Sequence, residues 1–141
     1  PSAFNSVNFY GTTEHILFSC CEIDEATVGQ DSVHFDSTAI ASRIKFDTCN
    51  VYSFTGRYAL AVDGATVTVK VENSHFYPFG GNANSGGATI ASGSTLIAID
   101  SAFGASGTAK TVTGAGTLLR SSTCTFTGGA AKDITTDTQL Y

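Results

Sequence analysis

Apolar and polar residues alternate through Ile44-Lys45-Phe46-Asp47-Thr48-Cys49-Asn50-Val51-Tyr52-Ser53-Phe54, and Val69-Lys70-Val71-Glu72-Asn73-Ser74-His75-Phe76-Tyr77-Pro78-Phe79 repeats that stretch position for position. The shared pattern is apolar-x-apolar-x-x-small-x-apolar. It recurs at 16–23, 97–104 and 119–126, so five copies begin 28, 25, 28 and 22 positions apart. A period of that size points to a solenoid. Within a copy, positions one and three share a side as in a strand, a two-residue turn follows, and positions six and eight face inward again.

Stacked in register, the copies predict four core columns. The first is Ile16, Ile44, Val69, Ile97 and Leu119; the second is Phe18, Phe46, Val71, Ile99 and Ser121. The third is Cys21, Cys49, Ser74, Ala102 and Cys124; the fourth is Ile23, Val51, Phe76, Gly104 and Phe126. Between copies lie shorter alternating runs at 33–35, 58–62, 88–91 and 110–113, each able to supply a third strand per turn. The expected fold is therefore all-β, a single domain built as a short parallel β-helix of about five rungs. A β-sandwich or jelly roll is the rival, because about ten short strands with Gly-rich turns suit it as well.

Three strands per turn of about 25 residues, with the runs Asn73-Ser74-His75-Phe76 and Ser122-Thr123-Cys124-Thr125-Phe126, resemble the right-handed parallel β-helix of pectate lyases and phage tailspikes. The resemblance covers roughly residues 16–126. It implies a trimeric virion component assembled inside the host cell, where thiols stay reduced.

Residues 1–15, with Phe4, Val7, Phe9 and Tyr10, are too apolar for a free tail and are expected to cap the first rung. Residues 16–127 carry the rungs, and 128–141, ending Gln-Leu-Tyr, form a cap or an arm reaching a neighbour. Residues 80–87 are a Gly-rich corner loop, with further corners at 104–107 and 114–116. The start at Pro1 suits a complete small protein that has lost an initiator Met, the expectation adopted, and also suits a fragment.

Composition narrows the partners. The 7 Lys and Arg stand against 12 Asp and Glu, without a basic stripe, so nucleic acid is not an expected partner. No run of about 18 apolar residues is present to span a bilayer, and no membrane partner is expected. Charged residues make up only 13% of the chain, and a surface so poor in charge is often covered by another chain.

Candidate chemistry is sparse. Asp47, Glu72 and Asp100 fall at one position of successive copies, which predicts a carboxylate column spaced about 4.8 Å apart. Such a column suits a Ca²⁺ site or a paired acid and base, but acidic residues also favour turns for local hydrogen bonding. The structural role is expected, with no cofactor and no catalytic residue. Lyases of the resembled class use a basic residue as the base, and no Arg or Lys aligns with this column. Glu22, Asp24 and Glu25 read as a solvated acidic turn, and His15, His34 and His75 as rim or outward residues rather than ligands. Cys21, Cys49 and Cys124 read as buried reduced thiols, a Cys21–Cys49 bridge being within reach of adjacent rungs, and Cys20 as the most reactive thiol. Tyr52 and Tyr77 share an outward position with Tyr58 nearby; these three, with Leu140 and Tyr141, are the expected interface.

The function expected from this pattern is non-enzymatic: a structural protein of a virus particle, a bacteriophage capsid decoration (cement) protein that binds itself and the shell. The alternatives are a tailspike or fibre domain recognising bacterial surface glycans, and a polysaccharide-cleaving enzyme.

Overall fold

The computed structural model describes residues 6–24, 29–53, 57–78, 85–129 and 132–140. Strands follow in the order β1 (Val7–Phe9), β2 (Thr12–Thr13), β3 (Ile16–Ser19), β4 (Glu22–Asp24), β5 (Val33–Phe35), β6 (Ile40–Asp47), β7 (Asn50–Ser53) and β8 (Tyr58–Val62). They continue as β9 (Thr66–Glu72), β10 (His75–Pro78), β11 (Gly86–Ile90), β12 (Thr95–Ile99), β13 (Ala102–Gly104), β14 (Val112–Arg120), β15 (Thr125–Thr127) and β16 (Asp133–Gln139). The result is an all-β parallel solenoid of about four turns, consistent with a short right-handed β-helix and not a barrel. The strand ladders among the described residues are parallel, with one isolated antiparallel bridge at Gly86 and Ala105, which rules out the sandwich.

Each turn presents three faces. One stacks β1-β5-β8-β11-β14, a second stacks β3-β6-β9-β12-β14, and the third stacks β4-β7-β10-β13-β15. The first two faces join because β14 runs without a break through the corner that separates them elsewhere. The third-strand runs of the sequence are thus β5, β8, β11 and the start of β14. Of the segment expected as an N-terminal cap, Val7–Phe9 pairs in register with Val33–Phe35 as a strand of the stack itself.

Ile44 pairs with Val69 and Phe46 with Val71, as the repeat requires. The fourth and fifth copies sit one residue out of the expected phase. Val69 pairs with Leu96 and Leu96 with Leu118, so the first column is Ile16, Ile44, Val69, Leu96 and Leu118. The second ends in Ala98 and Arg120 rather than Ile99 and Ser121. Phe103, fully buried, takes the inward place expected for Gly104, and Ser101 replaces Ala102. Run 96–99 is apolar in both phases, so alternation cannot choose between them. Burial of the large Phe103 ring and the alignment of Ser101 with Ser74 decide it. In the fifth copy the turn holds one extra residue, six steps separating Arg120 from Phe126 where five separate Ala98 from Phe103.

The core is laid down as ladders of like side chains. Phe9 stacks on Phe35 and Phe18 on Phe46, with ring centroids 4.3 and 4.7 Å apart, while Phe76, Phe103 and Phe126 form a third stack at 5.5 and 5.7 Å. Small hydroxyl residues close the corners inside. Ser74 Oγ accepts from the Cys49 amide at 3.0 Å and Ser101 Oγ from the Ser74 amide at 3.2 Å, so each rung satisfies a buried N–H of its neighbour. The turn that follows the second face uses a left-handed residue in four copies, Cys20, Thr48, Asn73 and Asp100, with φ between 48° and 57°.

The C-terminal end is closed by polar groups. Arg120, at the end of a core column, donates through Nε to Asp137 Oδ1 at 2.8 Å, and Lys132 Nζ lies 2.6 Å from Asp137 Oδ2. Both cations also lie over the Phe126 ring, at 5.6 and 4.7 Å from its centroid. Burial tends to raise the Asp137 carboxyl, but the bonds from Arg120 and Lys132 outweigh it and hold its pKa below the usual value.

Candidate functional site

The carboxylate column is only two residues long. Asp47 pairs with Glu72, but Glu72 pairs with Ile99, and Asp100 lies one position on, in the left-handed turn, where Thr123 Oγ1 donates to its carboxylate. The slipped phase of the fourth copy is the reason. The two remaining carboxylates are matched by lysines two residues earlier on the same outward side, correcting the expectation that no basic residue aligns with them. Lys45 Nζ lies 3.2 Å from Asp47 Oδ2 and 2.5 Å from Glu72 Oε2, and Lys70 pairs with Glu72 Oε1. Hydrogen bonds from Lys45 hold the Asp47 carboxyl low, those from Lys45 and Lys70 hold Glu72 low, and the same bonds, Glu72 first and then Asp47, hold Lys45 high. Among the described residues no group of three or more His, Cys, Asp or Glu converges on a common point.

This lattice has a defined pH signature. Carboxylates with lowered folded pKa add stability above their ordinary values near 4, lost as pH falls through the folded values. The raised Lys45 adds stability below about 10, lost as pH rises through its folded value. Glu72→Gln is therefore expected to lower the melting temperature at neutral pH and to converge on the parent as the pH falls through the folded value of the Glu72 carboxyl. Thermal melts across pH check this. A chelator is expected to leave the melting temperature unchanged, and a shift of several degrees would place a cation among these carboxylates.

Tyr52 and Tyr77 are in-register neighbours on β7 and β10, half-buried, and Asp24 on β4 pairs with Tyr52 from the other side. The Tyr77 ring lies over Gly104, where any Cβ would collide with it, so that glycine is an outward ledge for an aromatic and not a core position. Tyr58 does not join them. It stands on another face, its ring over Gly86, and burial pushes its hydroxyl pKa up. Leu140 is exposed beyond β16, and Tyr141 and Glu25 lie outside the described residues. Glu22 pairs with Asn50, and Asn50 Oδ1 lies 3.1 Å from His75 Nδ1. His34 lies 3.0 Å from Asp63 Oδ2.

All four cysteines are free. Cys49 Sγ lies 3.4 Å from the Asp47 carbonyl and 3.5 Å from that of Phe18, and burial raises its thiol pKa, the reverse of what a nucleophile needs. Cys20 is exposed at the turn, as the pattern predicts.

The structure adds a site that the repeat pattern did not single out. Thr13 pairs with Ala41 and Ile16 with Ile44, so Glu14 and His15 on one rung lie against Ser42 and Arg43 on the next. On the third rung Thr68 alone fills that interval, and the register shifts there as a β-bulge. Arg43 takes the left-handed region, φ 59°, a conformation that costs a non-glycine residue about 1 kcal/mol or more. A concavity of about 400 Å³ opens here, lined by Glu14, His15, Ser42 and Arg43. All four are exposed, and none makes an ion pair with another described residue. The signal was in the spacing: Ala41 and Ile44 are three apart where Val67 and Val69 are two apart.

Compared with family models, curated proteins and solved structures, the chain matches none of them.

Proposed function

We propose that this chain is a non-enzymatic structural protein that works by assembly, and that its setting is a virus particle, where it acts as a bacteriophage capsid decoration (cement) protein. It would associate as a homotrimer and bind other virion proteins. The observation that carries the reading is where the exposed apolar side chains lie: Tyr10, Leu17 and Ile40 belong to the first two turns and Leu140 to the last. A lone monomer gains nothing by exposing three large apolar groups at one end of its stack, whereas a partner covering them gains burial free energy. Neutralisation of Asp47 and Glu72 by Lys45 and Lys70 weighs against the lyase or hydrolase alternative.

The test is sedimentation of the chain alone and with undecorated particles. Self-association and binding are expected, over an interface above about 1,000 Å², and both are expected to weaken in Leu17→Ser and Ile40→Ser. A chain that stays monomeric at high concentration and leaves particles bare would overturn the proposal. One observation favours the glycan-binding alternative: Asp24, Tyr52 and Tyr77 stand in adjacent register, so that a stacking surface has a hydroxyl acceptor beside it. Retention on polysaccharide that is lost in Tyr77→Ala, without particle binding, would select it.

A further inference from the structure

We infer that the concavity at the double insertion of the first two rungs binds a small carboxylate whose neighbouring carbons carry hydroxyl groups, with Arg43 as its anchor. The argument for this site does not rest on the assembly reading, although Leu17 and Ile40 flank the concavity on the same two rungs.

The argument starts from the backbone. Glycine is the residue suited to φ near 60°, and an arginine held there at an exposed position gives no packing in return. What the bulge does is turn the side chain out of the strand's alternation, towards the concavity that Glu14, His15 and Ser42 also line. Placement beside the matching one-residue insertion of the first rung makes the feature two rungs deep. Arg43 is also one of only 7 Lys and Arg in a chain of net charge −5, and it pairs with no described carboxylate, although Glu14 lines the same hollow.

The donor set then selects the ligand. A guanidinium offers a planar fork that matches a carboxylate with two parallel hydrogen bonds. Ser42 can donate or accept, and the His15 ring adds a second donor. Glu14 repels a second negative charge, which disfavours a phosphate dianion, and its carboxylate accepts from a hydroxyl carried close to the ligand's carboxylate. The volume, about 400 Å³, lies within the range of small-molecule sites.

Isotope-labelled protein titrated with D-glucuronate, D-glucose, acetate and inorganic phosphate tests this by amide chemical shifts. Glucuronate is expected to move the resonances of residues 14, 15, 42 and 43 saturably, acetate more weakly, and glucose and phosphate not at all. Arg43→Gly is expected to weaken glucuronate binding by at least about tenfold, the cost of one charged hydrogen-bonded contact. It is also expected to raise the melting temperature, since glycine relieves the left-handed strain, so lost binding cannot be put down to unfolding. Glu14→Gln is expected to narrow the preference for glucuronate over acetate. No saturable shift with glucuronate, binding that survives Arg43→Gly, or phosphate binding as tight as glucuronate would each overturn the proposal.

Discussion

Phe46→Ala lowers the unfolding free energy by about 3 to 5 kcal/mol, the cost of deleting a buried phenylalanine that its surroundings cannot collapse to fill. The ring is fully buried, stacked on Phe18 at 4.7 Å and edge-on to Phe76 at 5.8 Å, so it links the second and third faces of the prism. Neighbouring rungs are held at fixed spacing by their backbone ladders and cannot close over the void. Tyr52→Ala serves as the contrast: the residue is outward and half-buried, so its monomer stability changes far less. Urea melts of the two variants decide, and equal losses would overturn the inward and outward assignment.

Asp31→Ala is the second large loss, expected at about 3 kcal/mol, towards the lower end for breaking a buried ion pair because Arg57 can return partly to water. Asp31 is fully buried on the approach to β5. Its Oδ1 accepts from the Tyr58 amide at 3.0 Å and from Arg57 Nε at 3.2 Å, and Oδ2 accepts from Arg57 at 2.7 Å. The carboxylate therefore ties the second turn to the start of the third, and its removal leaves a buried amide without an acceptor. Asp31→Asn keeps one oxygen for the Tyr58 amide and is expected to lose less. Denaturant melts check both; a loss below about 1 kcal/mol for Asp31→Ala would show that the pair adds no net stability.

These two residues also mark what pattern reading reaches. Phe46 belongs to a period visible along the chain, and its burial follows from alternation alone. Asp31 carries no such mark, because its importance comes from a partner 26 residues away. The same division runs through the candidate site. Leu17 and Tyr77 were readable as outward, since each alternates with a clear inward neighbour. Lys45 and Lys70 stand two residues from Asp47 and Glu72 along the chain, but the reach of Lys45 across to Glu72 follows only from the register of neighbouring rungs.

That the repeats stack in parallel and do not fold as a sandwich was decided by the strand pairing, but the sequence by itself determined that the chain is built of repeats, which side of the first three copies forms the core, and where their turns fall. Those follow from a period-two alternation repeated at near-constant intervals, a local property that any stacking must respect. Only the tertiary structure decided the phase of the fourth copy, where Leu96 and Ala98 point inward in preference to Ile97 and Ile99. It also decided the closing of the last core column by Arg120 and the outward turn of Arg43. In each case alternation along the strand left the choice open, and contacts with the adjacent rung settled it: the Phe76 ring for Phe103, Asp137 for Arg120, and the matching one-residue insertion at Glu14 and His15 for Arg43.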